Sequence, residues 1–257
     1  MNEPLITLFG SMGYVGGTIA TCAQSDGQNV TTINSSDFPF WKDAGAWPGQ
    51  LLENSTETVI LAASFEKPAS REEESLQPLL QEKFAVLLDR LRTRRIIFLS
   101  SDAVFNGSRG PYCESDALSP ITPYGRCKAI METIAAKHTN VHVVRMSVVW
   151  GPGATKPDSR RRRYLEKNAG HHLGATNAFR SPIEVSRLAR AIVRMTHEET
   201  LPDVLHLATP RRSYFEFLRS SLLPEMADRI EPWDDPAGQH DTSLDTEHPN
   251  LVSRLIN

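Results

Sequence analysis

LFGSMGYVGG, Leu8 to Gly17, is the stretch on which the fold turns. Gly10, Gly13, Gly16 and Gly17 follow directly on an apolar run and precede a segment patterned as a helix. Glycine loses more backbone freedom on folding than any other residue, so this clustering needs a reason. Strand, G-x-x-G-x-x-G, then helix supplies one. Gly10 permits a tight turn, Gly13 lets a pyrophosphate approach the backbone, and Gly16 lets the helix pack closely on the strand. The helix start offers free N–H groups and the positive end of its dipole. A βα turn that binds nothing would use the same glycines, so the loop alone leaves both readings open.

Working outward, Leu5–Phe9, Val30–Ile33, Thr58–Ala63, Arg95–Leu99, Val141–Met146 and Val204–Ala208 read as strands. Tyr14–Gln24, Arg71–Leu91, Pro123–His138, Glu184–His197 and Tyr214–Leu223 read as helices, from apolar residues at helical spacing. Strands that alternate with helices imply βαβ units, and near-continuous apolar strands imply a parallel sheet covered on both faces. The fold class is therefore α/β, a Rossmann-type doubly wound parallel sheet. Residues 1–150 are assigned to a dinucleotide-binding domain. Residues 151–257 are assigned to a small substrate-binding lobe, with some chain returning to the core. Glu225–Pro249 is polar and acidic and is expected to be a surface segment or a partly mobile arm.

The second expected strand ends in VTTINSSDF, which puts Asn34 where a carboxylate commonly holds the adenosine ribose. Asn34 can hydrogen-bond a ribose without repelling a 2′-phosphate, and no Arg stands beside it to grip one. NAD(H) and NADP(H) both stay open, with a lean toward NADPH.

FLSSDAVFNGSRGPYCESDALSPITPYGRCK, Phe98 to Lys128, carries the chemistry. Ser100 and Ser101 end an expected strand, and Tyr124 and Lys128 share one helix face. A tyrosine ionises only near pH ~10 in water. A neighbouring ammonium favours its phenolate, so Lys128 can tune Tyr124 and also hold a cofactor ribose. Ser101 can hydrogen-bond the substrate oxygen that Tyr124 protonates. Each residue alone has a bland role, as a cap, a turn residue or a solvated charge. The order glycine loop, strand-end serine, Y-x-x-x-K is what points to hydride transfer with a nicotinamide.

The bulk numbers agree with such a protein. The chain has 257 residues, 40% hydrophobic and 23% charged, with a net charge of −3. No global field draws it to nucleic acid or an anionic membrane. No apolar run approaches the ~20 residues of a membrane span, and a secretory signal is not expected. Cys22, Cys113 and Cys127 lack metal-ligand spacing and read as free thiols in a reducing, cytoplasmic setting. His171 and His172 read as loop residues, so no metal site is assigned.

These motifs make the chain resemble an extended short-chain dehydrogenase/reductase, and within it the dTDP-4-dehydrorhamnose reductase family. LITLFGSMGYVGG resembles its cofactor loop and TVILAAS, Thr58 to Ser64, its turn over the cofactor. The Phe98–Lys128 stretch resembles a family pattern S-T-D-Y-V-F-D-G, then P-Y, E, D, P and Y-G-x-x-K. VVRMSVVWG, FRSPIEVSRLARAI, VLHLATPRRSYFEF and TSLDT, starting at Val143, Phe179, Val204 and Thr242, follow in the family's order. The resemblance implies reduction of a keto group, at C4, on a nucleotide-diphosphate-linked deoxysugar. It implies Ser101, Tyr124 and Lys128 as the catalytic set. It implies cofactor contacts from Gly10, Ser11, Met12, Gly13, Tyr14, Val15 and Gly16, from Asn34 and Ser35, and from Ala62, Ala63 and Ser64. Arg145 or Ser147 is expected near the nicotinamide or substrate. Helix pairs of this fold commonly form dimers, so a homodimer is an expectation.

The chain also departs from the family. Ala103 stands where the reductases have Tyr and related dehydratases a Glu, which removes a base for elimination. Asp102 is expected to point away from Ser101 if the chain stays extended there. Val148 stands where a Trp often packs near the sugar. The long helix lacks the family's Asn, which places a relay water, and has Gln81 nearby. Of the run Arg160–Arg163, two or three residues are expected to be solvated. Arg163, with Arg180, is expected on the diphosphate, beside Ala103 and Val148 on the sugar. Two alternatives to a reductase remain. One is a redox-neutral epimerase or dehydratase. The other is a non-catalytic cofactor-binding subunit, resembling the β subunit of methionine adenosyltransferase. The intact Ser101, Tyr124 and Lys128 argue against the second.

Overall fold

The structure, a computed structural model, describes residues 5–49, 57–71, 74–167 and 172–257. Alternation holds through the first part of the chain: β1 (Ile6–Phe9), α1 (Tyr14–Ser25), β2 (Val30–Ile33), β3 (Thr58–Leu61), α2 (Lys67–Arg71), α3 (Gln77–Arg90), β4 (Arg95–Leu99), α4 (Pro123–Ala135) and β5 (Val141–Arg145). Shorter elements follow: β6 (Val149–Trp150), α5 (Ser159–Lys167), β7 (His172–Ala175), β8 (Ala178–Arg180), β9 (Ile183–Glu184), α6 (Val185–Met195), β10 (Val204–His206), β11 (Arg212–Ser213), α7 (Tyr214–Phe217), β12 (Ile230–Trp233), β13 (His240–Asp241) and α8 (Pro249–Ile256).

Six strands form the parallel central sheet in the order β10-β5-β4-β3-β1-β2. The order reverses between β1 and β3, the place where open α/β sheets bind ligands beyond their carboxyl ends. β1 and β3 are buried throughout, while the edge strand β2 leaves Thr31 and Thr32 partly accessible. Helices α1, α6 and α8 cover one face with Ile19, Leu188, Ile192 and Leu255 in its core. Helices α3 and α4 cover the other with Leu80, Phe84, Leu87, Met131 and Ile134.

Two expectations change. The helix expected from Arg71 starts at Gln77, with Pro78 in its first turn. Proline lacks an N–H and cannot sit inside a helix, but it suits a helix start, so the break belongs there. Glu225–Pro249 runs at the surface over most of its length, as expected, but it is tied down rather than a free arm: Asp241, Thr242, Ser243 and Leu244 are buried, and β12 and β13 pair with β7 and β8. Its polarity serves internal hydrogen bonds, since the Asp241 carboxylate accepts from Arg211 Nε and Ser243 Oγ.

Candidate active site

Register builds the floor of a cleft at the carboxyl edge of the sheet. Phe9 lies level with Ile33 and with Leu61, so the residues that follow, Gly10, Asn34 and Ala62, form one row at the carboxyl edge. Gly10 has φ +92°, and a Cβ on it would lie 2.7 Å from the Ala63 Cα. A Cβ on Gly16 would lie 2.3 Å from the Gly10 carbonyl oxygen. The glycines are thus required by close backbone approach and by a left-handed turn, as the loop predicted.

A cleft of about 750 Å³ opens above this row. Gly10, Met12, Gly13, Asn34, Ser35, Ala62, Ala63 and Ser64 line it. The cleft also has Phe38, Phe40 and Trp41 on its wall and Lys42, Lys67 and Lys156 at its surface, none of which the motif reading found. The Asn34 side-chain oxygen accepts from Ser11 Oγ (3.0 Å) and Met12 N (3.1 Å), so it ties β2 to the glycine loop and leaves its amide N–H₂ as donor. Of the expected contacts, Ser11, Tyr14, Val15, Gly16, Tyr124 and Lys128 are not among the residues that line this cleft. Ser11 is buried against Asn34. Tyr14 turns away to donate to the Gly151 carbonyl at 2.6 Å. Val15 packs against the core on the α1 side of the sheet.

Ser101, Tyr124 and Lys128 meet beyond the ends of β3 and β4. Thr122 caps α4 by accepting from Gly125 N at 3.0 Å, which fixes the helix turn that carries Tyr124. The Ser101 side chain stands near enough to the Tyr124 hydroxyl to favour its phenolate slightly. Ser101 and Asp102 begin a short 3₁₀ turn, so Asp102 does not point away: Ser101 Oγ donates to its Oδ1 at 3.1 Å. The other Asp102 oxygen accepts from Ser147 (2.6 Å) and from Thr242 (3.0 Å), and Arg180 Nε stands 3.8 Å away. Ala103 sits on the same turn, packed by its carbonyl against Gly125.

Lys128 is buried, donates to the Leu99 carbonyl at 3.1 Å and faces Glu66 Oε2 at 3.3 Å. Burial lowers its pKa, but Glu66 and Tyr124 outweigh this and hold it above the usual lysine value. Burial raises the Tyr124 pKa; Lys128 lowers it and Glu66 raises it, leaving it above the ordinary value. The lysine effect expected from sequence operates but does not win, and Tyr124 is a phenol at neutral pH. Tyr124 still has 38% of its surface accessible, while its hydroxyl is desolvated.

Arg145 is 4% exposed and locked to Glu132, with Arg145 Nη2 2.8 Å from Oε2, so it does not face the nicotinamide or the substrate. Ser147 is buried and donates to Asp102. Gln81 is exposed and does not replace the missing Asn. Cys127 is a fully buried core residue. His172 stacks on Tyr164; His171 lies outside the described residues. Among the described residues, no three His, Cys, Asp or Glu side chains gather as a metal site needs, and no helix is long and apolar enough to cross a membrane.

A second cleft, about 480 Å³, is lined by Val148, Arg160, Arg163, Tyr164, Lys167, Tyr214 and Trp233. Helical spacing sorts the arginine run. Arg160, Arg163 and Lys167 share the cleft face, whereas Arg161 pairs with Glu225 and Arg162 with Glu166. Arg180 is placed beside Asp102 rather than in this cleft. Tyr214 stands in the VLHLATPRRSYFEF stretch, where sequence reasoning gave it no role, and Trp233 lies in a segment without a motif, so both were missed.

Residues 4–230 match the family described as RmlD substrate binding domain. The chain belongs to that family. The extended short-chain dehydrogenase/reductase resemblance seen in its motifs is therefore correct, and membership places it among NAD(P)-dependent oxidoreductases. A dTDP-4-dehydrorhamnose reductase from Yersinia enterocolitica superposes with a TM-score of 0.76 at 16% identity, covering 98% of this chain and 93% of that one. One from Bacillus anthracis, in complex with NADP, gives 0.75 at 17% identity, with 97% and 92% covered. An NAD-dependent NDP-hexosamine 5,6-dehydratase of tunicamycin biosynthesis gives 0.71 at 19% identity, with 99% and 91% covered. Among curated proteins no sequence matches the chain.

Proposed function

We propose that the chain uses NAD(P)H, with NADPH preferred, to reduce the C4 keto group of a nucleotide-diphosphate-linked deoxysugar. The observation that carries this reading is a glycine-cradle cleft at the carboxyl edge of β1, β2 and β3 together with the cluster of Ser101, Tyr124 and Lys128 past the end of β4, while a second cleft presents Arg160, Arg163 and Lys167. The cradle and its aromatic wall fit a dinucleotide: backbone can approach a pyrophosphate at Gly10 and Gly13, and Phe38, Phe40 and Trp41 offer surface to a base. Lys42, Lys67 and Lys156 around that cleft support the lean toward a 2′-phosphate, which the sequence left without a basic partner. When bound, the reduced nicotinamide supplies the hydride.

The chain's own groups do the rest. Ser101 turns its hydroxyl to the substrate oxygen and polarises the carbonyl. Tyr124, a phenol at working pH, gives its proton to that oxygen as negative charge develops there. The Lys128 ammonium stabilises the phenolate left behind. Arg160, Arg163 and Lys167 take the diphosphate, and Tyr214 and Trp233 give flat surfaces for the nucleotide base.

A redox-neutral reading has one observation in its favour. Asp102 keeps its carboxylate against Ser101, and one similar structure is a dehydratase. Ala103 weighs against it, since no second acid follows. The test is oxidation of NADPH and NADH against a panel of nucleotide-linked 4-keto-6-deoxysugars, with Tyr124→Phe alongside. The reductase reading expects one substrate to consume reduced cofactor, and the variant to lose about 10²–10⁴-fold in kcat while still binding cofactor. Sugar conversion without net cofactor oxidation would favour the redox-neutral reading.

A further inference from the structure

Glu66 is the group around the catalytic set that no motif explains. It follows the Ala62–Ser64 turn and precedes α2, and it is 3% exposed. Its Oε2 lies 3.3 Å from Lys128 Nζ, and the same ammonium, which has three N–H groups, also donates to the Leu99 carbonyl at 3.1 Å. A buried ion pair is a poor way to gain stability, since desolving two charges costs about as much as their attraction returns. Its place beside the reacting tyrosine calls for a different reason.

We propose that Glu66 is a positioning residue acting through Lys128, whose ammonium it balances so that the set rests as carboxylate, ammonium and neutral phenol, poised to donate a proton. The inference rests on the reductase reading for its purpose but not for its test. An unbalanced ammonium beside Tyr124 would draw out the phenolic proton, and burial would push an unbalanced ammonium to shed its own. Either way the site would lose its first proton at lower pH. The other charges facing the set are already engaged. Asp102 is held by Ser147 and Thr242, and Glu132 by Arg145 and Ser100. Lys67, next in sequence, faces the cofactor cleft.

The test follows Tyr124 by its ¹³Cζ resonance and Lys128 by its ¹³Cε resonance through an alkaline titration, assigned with Tyr124→Phe and Lys128→Met. Because Lys128 and Tyr124 are coupled, the earlier of their two titrations is the one to compare. In Glu66→Gln it moves to lower pH by about one pH unit or more. In Glu66→Asp, which keeps the charge at longer reach, it moves the same way by less; this variant alone suffices if the Gln form does not fold. The alkaline limb of the reductase pH profile shifts in the same order. A first titration unchanged in a folded Glu66→Gln, or in Glu66→Asp where only that variant folds, overturns the inference. So does a uniform fall in kcat with the pH profile in place. The NMR titration needs no substrate, so failure of the sugar panel would count against the reductase reading and leave this result standing.

Discussion

Thr155 lies so close to Gly17 that a Cβ on that glycine would come within 2.0 Å of its Oγ1, and the same hydroxyl donates to the Gly13 carbonyl at 3.1 Å. The segment after β6 is therefore strapped onto the first turn of α1. Ala154 N adds a bond to Thr18 Oγ1 at 3.1 Å, and Tyr14 holds Gly151 from the other side. Gly17, which has no place in the three-glycine cradle motif, serves this contact. The strap carries Lys156 to the mouth of the cofactor cleft.

Gly17→Ala tests the strap. Alanine favours the helix interior by about 1 kcal/mol over glycine, so an open site would gain stability. Here the new methyl meets Thr155 and the Ser11 carbonyl, and the strap must lift. The expected outcome is no gain in Tm and a several-fold rise in the Kd for NADPH, read by cofactor fluorescence.

Lys156→Ala tests what the strap delivers. An exposed lysine contributes a modest, salt-screened attraction to a phosphate. The Kd for NADPH should rise about five- to tenfold at low salt while that for NADH changes less, and the gap should close as salt is added. Equal losses for both cofactors would place Lys156 on the pyrophosphate shared by the two.

Arg163 and Arg162 are neighbours with opposite expectations. Arg163 is on the α5 face that lines the second cleft, and Arg162 is paired with Glu166 across one helical turn. Arg163→Ala should raise KM for a nucleotide sugar about tenfold with kcat nearly kept, since it removes a charge-assisted contact made before and during reaction. Arg162→Ala should leave both constants near wild type. Steady-state kinetics on the two variants checks the assignment.

How much of this was legible depends on the range of the interaction that decides each feature. Local signals sufficed for the cradle. Gly10 must take a positive φ and Gly16 must admit the Gly10 carbonyl, and both demands appear as glycines in one heptapeptide. Tyr124 and Lys128 were legible as a helical i, i+4 pair, and Pro123 and Thr122 mark that helix start in the sequence itself. Pro78 was an equally local signal for the start of α3 and should have displaced the boundary from Arg71.

The sequence by itself therefore determined the parallel sheet, the glycine cradle and the serine, tyrosine and lysine set, because each rests on backbone geometry or spacing within a few residues. Only the tertiary structure decided which charges face them. Glu66 reaches Lys128 across 62 positions, Thr242 reaches Asp102 across 140, and Thr155 reaches Gly13 across 142. Burial then gives those contacts their weight, since a charge removed from water responds to its partner far more strongly than an exposed one. A linear pattern holds no record of which distant carboxylate the fold brings beside a buried ammonium.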